Sequence, residues 1–299
     1  MSVVELEVGR VAAYEVIGDG VPALLFPGGP GAAGSYMRKF AELSSSIFTN
    51  YLIDPHGSGG STPPTSPDQY SPEGHARFYD EVRAALGLER VTVLGHSFGG
   101  GVALAYAALF PDATSTCICV AGFAIGADVD AAEGGEAAAE MEAMLSRHRS
   151  AEWYEDARAT WETWTERVIA ADGGSEVDQM MRTVLPLYAA HPERPDVWAG
   201  IEELRRDLTF DLVAAKAWEG GLYQNVDLRP LLPRISAPTL VLAGELDLIC
   251  GPAQARRIAE AIPTAEVVLL PDCGHLLAVE APTAYAKVVV DWARRHPEA

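Results

Sequence analysis

Short apolar runs alternate with helically spaced segments through the first third of the chain. Residues 11–17 and 22–26 read as strands, 36–43 has helical spacing, and 48–53 is a further strand ending at Asp54. Tyr79, Val82 and Leu86 fall at i, i+3 and i+7, which predicts a helix with one apolar stripe over 75–86. Residues 91–94 form an apolar run too short for a helix and bounded by Gly95, so a buried strand is expected there. An Ala-rich helix over 102–110 closes at Pro111, and 116–121 reads as the next strand. Strands separated by helices imply βαβ units and a parallel sheet.

The alternation stops at residue 123 and resumes after 229. Between these points no strand is visible. The segment holds a Glu/Ala helix over 133–146, an aromatic stripe (Trp153, Tyr154, Trp161, Trp164) and a break at Gly173-Gly174. Spacing of this kind more often makes a helix-packing core than a ligand wall. Beyond it come a strand over 239–243, a helix over 252–262, a strand over 266–270 and a last helix over 284–295. The expected architecture is an α/β core made of residues 1–122 and 230–299, interrupted by a helical insertion over 123–229.

Composition narrows the classes of function. Of 299 residues, 48% are hydrophobic and 21% charged, an ordinary globular mixture. Charge is the unusual feature: 22 Lys and Arg against 42 Asp and Glu give a net of −20. Nucleic acid or an anionic membrane would repel such a surface, so neither is an expected partner. No apolar run approaches the ~18 residues of a membrane helix. Residues 1–7 lack a basic stretch followed by an apolar run, so no secretory signal is expected. Cys117, Cys119, Cys250 and Cys273 are too few and too irregularly spaced for a disulfide framework or a zinc site. These features predict a reduced, cytoplasmic protein.

The residues that carry chemistry begin with Gly95-His96-Ser97-Phe98-Gly99, placed between a predicted strand and a predicted helix. This is the context of a nucleophile elbow, where a strained turn lifts a serine hydroxyl above the edge of a sheet and its neighbours must be small. A serine hydroxyl needs a base, and the base needs a carboxylate to orient it. Of the seven histidines, His275 follows a late strand in Asp272-Cys273-Gly274-His275 and is the expected base. His56, in a Gly-rich loop before the serine, is its one rival. His96 should point away from the nucleophile, His75 opens a helix read as a surface one, His148 and His191 lie in the insertion, and His296 is in the tail. The carboxylate should leave a strand end between Ser97 and His275. Asp247 in Gly244-Glu245-Leu246-Asp247 is the expected choice, with Glu245 the alternative. Oxyanion donors are expected from the Phe98 N–H and from Pro27-Gly28-Gly29-Pro30-Gly31, where Gly29 is favoured because Pro30 has no N–H.

Together these residues resemble the α/β-hydrolase superfamily, and within it the proline iminopeptidase-like aminopeptidases. Gly28–Gly31 is similar to that family's HGGPG loop, with Pro27 in place of the leading His. The segment from Asp54 to Ser61 resembles its D-x-x-G-x-G-x-S loop, which implies a brace for the oxyanion segment. Gly244 to Asp247 resembles the G-x-x-D acid turn, and Asp272 to His275 the D-C-x-H segment.

The resemblance implies an α/β-hydrolase fold in which the insertion is a cap that roofs the site and selects substrate. It also implies glutamates that hold a substrate ammonium. Glu219, in Trp218-Glu219-Gly220, sits near one such position, while the other is occupied here by apolar Leu248. Trp218, Glu219 and Leu248 are therefore the expected substrate-pocket residues. The departure at Leu248 raises an esterase, lactonase or amidase with a neutral substrate as the alternative to an aminopeptidase. A non-hydrolytic member of the same fold is the remaining reading.

The expected activity is hydrolysis of a small ester or amide, or of a short peptide, through an acyl-enzyme, with no metal or organic cofactor required. Charge adds one point. Residues 123–229 carry 22 acids and 10 bases, a net of −12. Over half the excess charge thus lies on the expected cap, where it favours a cationic substrate.

Overall fold

The computed structural model describes residues 1–297, with backbone alone at Asp207. Eight strands form one sheet: β1 (Ser2–Glu5), β2 (Val11–Ile17), β3 (Val21–Phe26), β4 (Phe48–Ile53), β5 (Val91–His96), β6 (Thr114–Val120), β7 (Thr239–Gly244) and β8 (Ala265–Leu270). Their order across the sheet is β1-β2-β4-β3-β5-β6-β7-β8. β2 runs antiparallel to both neighbours, and every pairing from β4 to β8 is parallel.

Helices α1 (Arg38–Ser44), α2 (Pro72–Ala85) and α3 (Phe98–Leu109) connect the early strands. Seven more lie between β6 and β7: α4 (Ala127–Ala132), α5 (Glu136–Leu145), α6 (Tyr154–Glu162), α7 (Trp164–Ala170), α8 (Gly174–Val184), α9 (Pro195–Asp207) and α10 (Leu212–Ala217). The chain finishes with α11 (Pro252–Ala261), α12 (Leu277–Glu280) and α13 (Pro282–Arg295).

The central strands are apolar throughout because both of their faces are covered. Along β3, Leu24 and Phe26 join the core under α2 and α3, while Ala23 and Leu25 join the core under α13. β7 divides the same way, Val241 and Ala243 to the first core, Leu240 and Leu242 to the second. This two-residue period follows from the pleat. α3 starts at Phe98, four residues before the apolar pattern predicts, because Gly99, Gly100 and Gly101 are taken up into a helix buried from Phe98 to Ala108.

The insertion builds further apolar clusters, one of them shared with Leu248 and Leu276 of the flanking chain. Tyr154, Val184, Leu187 and Ile201 lie in one, with Trp153, Trp161 and Trp164 packed against it. Its two ends are stitched together: Gly126 N–H donates to Val226 O at 2.8 Å, and Leu228 N–H to Ala124 O at 2.8 Å. No helix among the described residues is long and apolar enough to cross a membrane.

Candidate active site

β5 ends at His96 and α3 begins at Phe98, so Ser97 alone makes the turn between them. Its φ of 56° and ψ of −119° are a strained conformation for a residue with a side chain. The turn is tight enough that a Cβ on Gly95 would lie 1.8 Å from the carbonyl oxygen of Gly99. Ser97 N–H donates to Val120 O on the neighbouring strand at 2.9 Å, which ties the turn to the sheet.

Two segments beyond the insertion bring a carboxylate and an imidazole to the same edge. Asp247 follows β7 and is fully buried. Its Oδ1 accepts the Ile249 and Cys250 N–H groups at 2.7 and 3.0 Å, and its Oδ2 lies 2.9 Å from His275 Nδ1. A carboxylate only accepts, so Nδ1 carries the proton and Nε2 presents a lone pair. That Nε2 is buried with no hydrogen-bond partner, and His275 lines the same cavity as Ser97.

Gly29 and Phe98 line that cavity too. Phe98 is the first residue of α3, whose opening N–H groups have no partner within the helix. Gly29 has φ of 61°, and a Cβ there would lie 2.6 Å from Phe210 Cε1, so a side chain is excluded twice over. The loop is braced as the resemblance implies. Asp54 accepts Gly34 N–H and Gly60 N–H at 2.8 Å each, and Ser58 Oγ donates to Gly31 O at 2.9 Å.

A family model described as the alpha/beta hydrolase fold matches residues 22–282. The chain belongs to the α/β-hydrolase fold family. The proline iminopeptidase of Levilactobacillus brevis is 27% identical, over 95% of this chain and 93% of its own. The 1-acylglycerol-3-phosphate O-acyltransferase of Arabidopsis thaliana is 27% identical over 91% of this chain, and 66% of that protein is covered. Among solved structures, a thermophilic esterase from Thermogutta terrifontis matches with a TM-score of 0.72 at 24% identity, over 99% of this chain and 98% of the esterase, a likeness of fold.

In this α/β hydrolase the cavity measures about 380 Å³, and most of its wall is apolar or aromatic. Trp218 and Glu219 both line it, on a π-helical turn, Trp218–Leu222, that continues α10. Trp218 stands edge-on to Phe98 with ring centroids 4.7 Å apart. Glu219 accepts Trp164 Nε1–H at 2.9 Å and Thr165 Oγ–H at 2.6 Å. Among the described lining residues it is the only acid, and none is Lys or Arg.

Leu248 requires a correction as a pocket residue. It is buried in the apolar cluster that includes Leu145, Leu185 and Leu276, and the cavity is lined instead by Ile249 and Cys250. The cause is the Asp247 Oδ1 bond to both following N–H groups, which curls the turn and aims residue 248 away from the substrate space.

The other histidines fall elsewhere in the hydrolase. His56 lines a separate polar groove, and its ring lies 4.4 Å from that of His75 and 4.9 Å from that of Phe78. Burial pushes its pKa down to about 4. His75 is buried, not on the surface, because it packs between His56 and Phe98.

His96 is absent from the cavity wall among the described residues, yet it touches the site from behind. It lies 2.9 Å from His275 O through Nε2 and 2.7 Å from Tyr36 Oη through Nδ1. A carbonyl only accepts, so Nε2 carries the proton and the tyrosine hydroxyl donates to Nδ1. Burial holds His96 well below the usual histidine range. Tyr36, Tyr188 and Phe210 line the cavity without any signature in the sequence.

Proposed function

We propose that the protein is a serine hydrolase that cleaves a small ester or amide through an acyl-enzyme, with Ser97 as nucleophile. The observation that carries this reading is the Asp247–His275 pair at 2.9 Å, whose unpartnered Nε2 belongs to the cavity that Ser97 lines. Ser97 Oγ attacks the substrate carbonyl while His275 Nε2 takes its proton. Asp247 keeps the proton on Nδ1 and stabilises the imidazolium that forms. The Gly29 and Phe98 N–H groups receive the developing oxyanion. The imidazolium then protonates the leaving group. A water, deprotonated by the same nitrogen, attacks the acyl-enzyme, and the imidazolium returns that proton to Ser97 Oγ as the acid leaves.

Residues 123–229 act in this reading as a cap over a core of 1–122 and 230–299, and they supply most of the cavity wall. The wall speaks to the substrate. A lone carboxylate among aromatic rings, with no Lys or Arg among the described lining residues, favours an ammonium over an acidic group. We therefore assign an aminoacyl ester or amide with a free amine, as in the iminopeptidase relatives, with Glu219 as the amine's partner. The second reading is an esterase or lactonase of neutral substrates. It is favoured by the burial of Leu248 and by the engagement of both Glu219 oxygens with neutral donors. All four cysteines are free thiols, which supports a reducing cytoplasmic location.

A panel of aryl esters, lactones and aminoacyl arylamides, tested on wild type and Ser97→Ala, decides among these. Turnover of free-amine substrates that is lost on N-acylation supports the first reading, and equal rates on blocked analogues support the second. Saturable binding without turnover in the wild type would overturn both.

A further inference from the structure

We propose that Glu280 is a positioning residue for His275, acting through the backbone on either side of it and tying that backbone to the insertion. This rests on the hydrolase reading above. His275 belongs to a segment between β8 and α12 that has no regular structure of its own to hold it. Its Nδ1 bond to Asp247 fixes one atom of the ring, so the placement of Nε2 depends also on how the main chain is mounted.

The mount is unusually complete. Glu280, at the end of α12, is buried, and its two oxygens share three backbone donors. Oε1 accepts Leu276 N–H at 3.0 Å, while Oε2 accepts Gly274 N–H at 3.0 Å and Ala190 N–H at 2.7 Å. His275 N–H itself donates to Tyr188 O at 2.7 Å, and His96 Nε2–H donates to His275 O at 2.9 Å. Residues 274, 275 and 276 thus all have their N–H groups engaged, two by one carboxylate and one by the insertion.

A buried carboxylate is costly wherever an apolar side chain would fit. Only an acceptor with two oxygens can bracket His275 and hold Ala190 at once. Both oxygens face N–H donors, so the geometry needs the ionised form, which accepts at every position and donates at none. The third bond matters for function. Ala190 and Tyr188 belong to the insertion, and the Tyr188 ring lines the cavity and stands at 90° to the His275 ring, 5.4 Å between centroids. The general base is therefore mounted partly on the element that meets the substrate, and the seating of that element sets where Nε2 points.

Glu280→Gln tests this with little change in volume. One of its two terminal atoms is an amide NH2 that must face backbone N–H groups, so the bracket opens on one side. With an activated aryl ester the expected result is a fall in kcat on the order of 10- to 100-fold and a KM within about twofold of wild type. Labelling of Ser97 by a fluorophosphonate should slow by the same factor. Glu280→Asp keeps the charge but withdraws it by one methylene, and should fall between wild type and Glu280→Gln; it also serves if Glu280→Gln does not fold. The downfield proton resonance of the His275–Asp247 pair, identified by its loss in Asp247→Asn, should broaden or shift in both variants. A folded variant with wild-type kcat and an unchanged resonance would overturn the proposal, as would a loss confined to thermal stability. An inactive, unlabelled wild type would instead strike at the hydrolase reading, and the resonance would still judge the clamp.

Discussion

The sheet and the insertion solve different problems in the same molecule. The sheet ends at Ser97, Asp247 and His275, three residues drawn from turns far apart in the chain and converging on one edge. Each is held by backbone bonds: Ser97 to β6, the Asp247 turn by its own carboxylate, and His275 by Glu280, Tyr188 and His96. The insertion contributes mostly side chains, which line the cavity, and two main-chain groups, Tyr188 O and Ala190 N–H, that reach the His275 segment. In the proposed reading the core places the reacting atoms with the help of those two handholds, and the side chains of the insertion discriminate between substrates.

Four substitutions or conditions test that contrast. Ser97→Ala should cut turnover by about 10⁵- to 10⁶-fold with an unchanged melting temperature, as measured by ester hydrolysis and calorimetry. A smaller loss would return the chemistry to another group. Gly29→Ala, which places a methyl 2.6 Å from Phe210 Cε1 at a positive φ, should cost on the order of 10²-fold in kcat. Adding Phe210→Ala should recover part of the loss; no recovery would mean that backbone strain alone is responsible. Glu219→Gln should leave turnover of neutral esters within about threefold while raising KM for free-amine substrates roughly 10-fold, close to 1.4 kcal/mol. Equal effects on both substrate types would remove the carboxylate from recognition.

The last prediction concerns pH and separates the two regions by sign. Burial holds His75 and His96 well below their ordinary range and His56 at about 4. Between about pH 6.5 and 4 the unfolded chain binds protons that these folded histidines refuse, so stability is full above that window and declines as pH falls through it. His75→Phe should flatten the decline by up to about 1.4 kcal/mol per pH unit in denaturant titrations at pH 6.5 and 4.5. An unchanged slope would exclude His75 as a source. In the insertion, His191 is shifted upward by its bond to Asp272. Its contribution is present below the unfolded value near 6.5 and fades as pH rises through the folded one, and it is small because the Asp272 partner is largely exposed.

Much of the core is readable in the linear pattern. Seven of the strands appear as apolar runs, and the elbow is announced by its small residues. β1 is missed because Ser2–Glu5 is short and mostly exposed, so it carries no period for burial to imprint. The features missed at the site share a different cause. Glu280 looks like any helix-end acid, and His96 like a neighbour of the nucleophile. Glu280 reaches Ala190 across 90 residues and His96 reaches the His275 carbonyl across 179, so local spacing signals neither bond. Leu248 fails as a pocket residue because one carboxylate oxygen decides which way the following turn faces. Side-chain identity is legible in a sequence, whereas a bond from a side chain to a distant main chain is not.

The two hydrogen bonds that stitch residues 124–126 to 226–228 have an evolutionary reading. Where an inserted segment leaves and re-enters its host at one doorway, the host is indifferent to the length and shape of what hangs there. Substrate range can then change by exchange of the whole segment. A transplanted replacement must still reproduce distant handholds, among them the Asp211 N–H on Gly31 O, the Ala190 N–H on Glu280 and the Tyr188 O that accepts His275 N–H. A chimera that keeps the doorway but loses those handholds should fold with an intact sheet and a poorly aligned base.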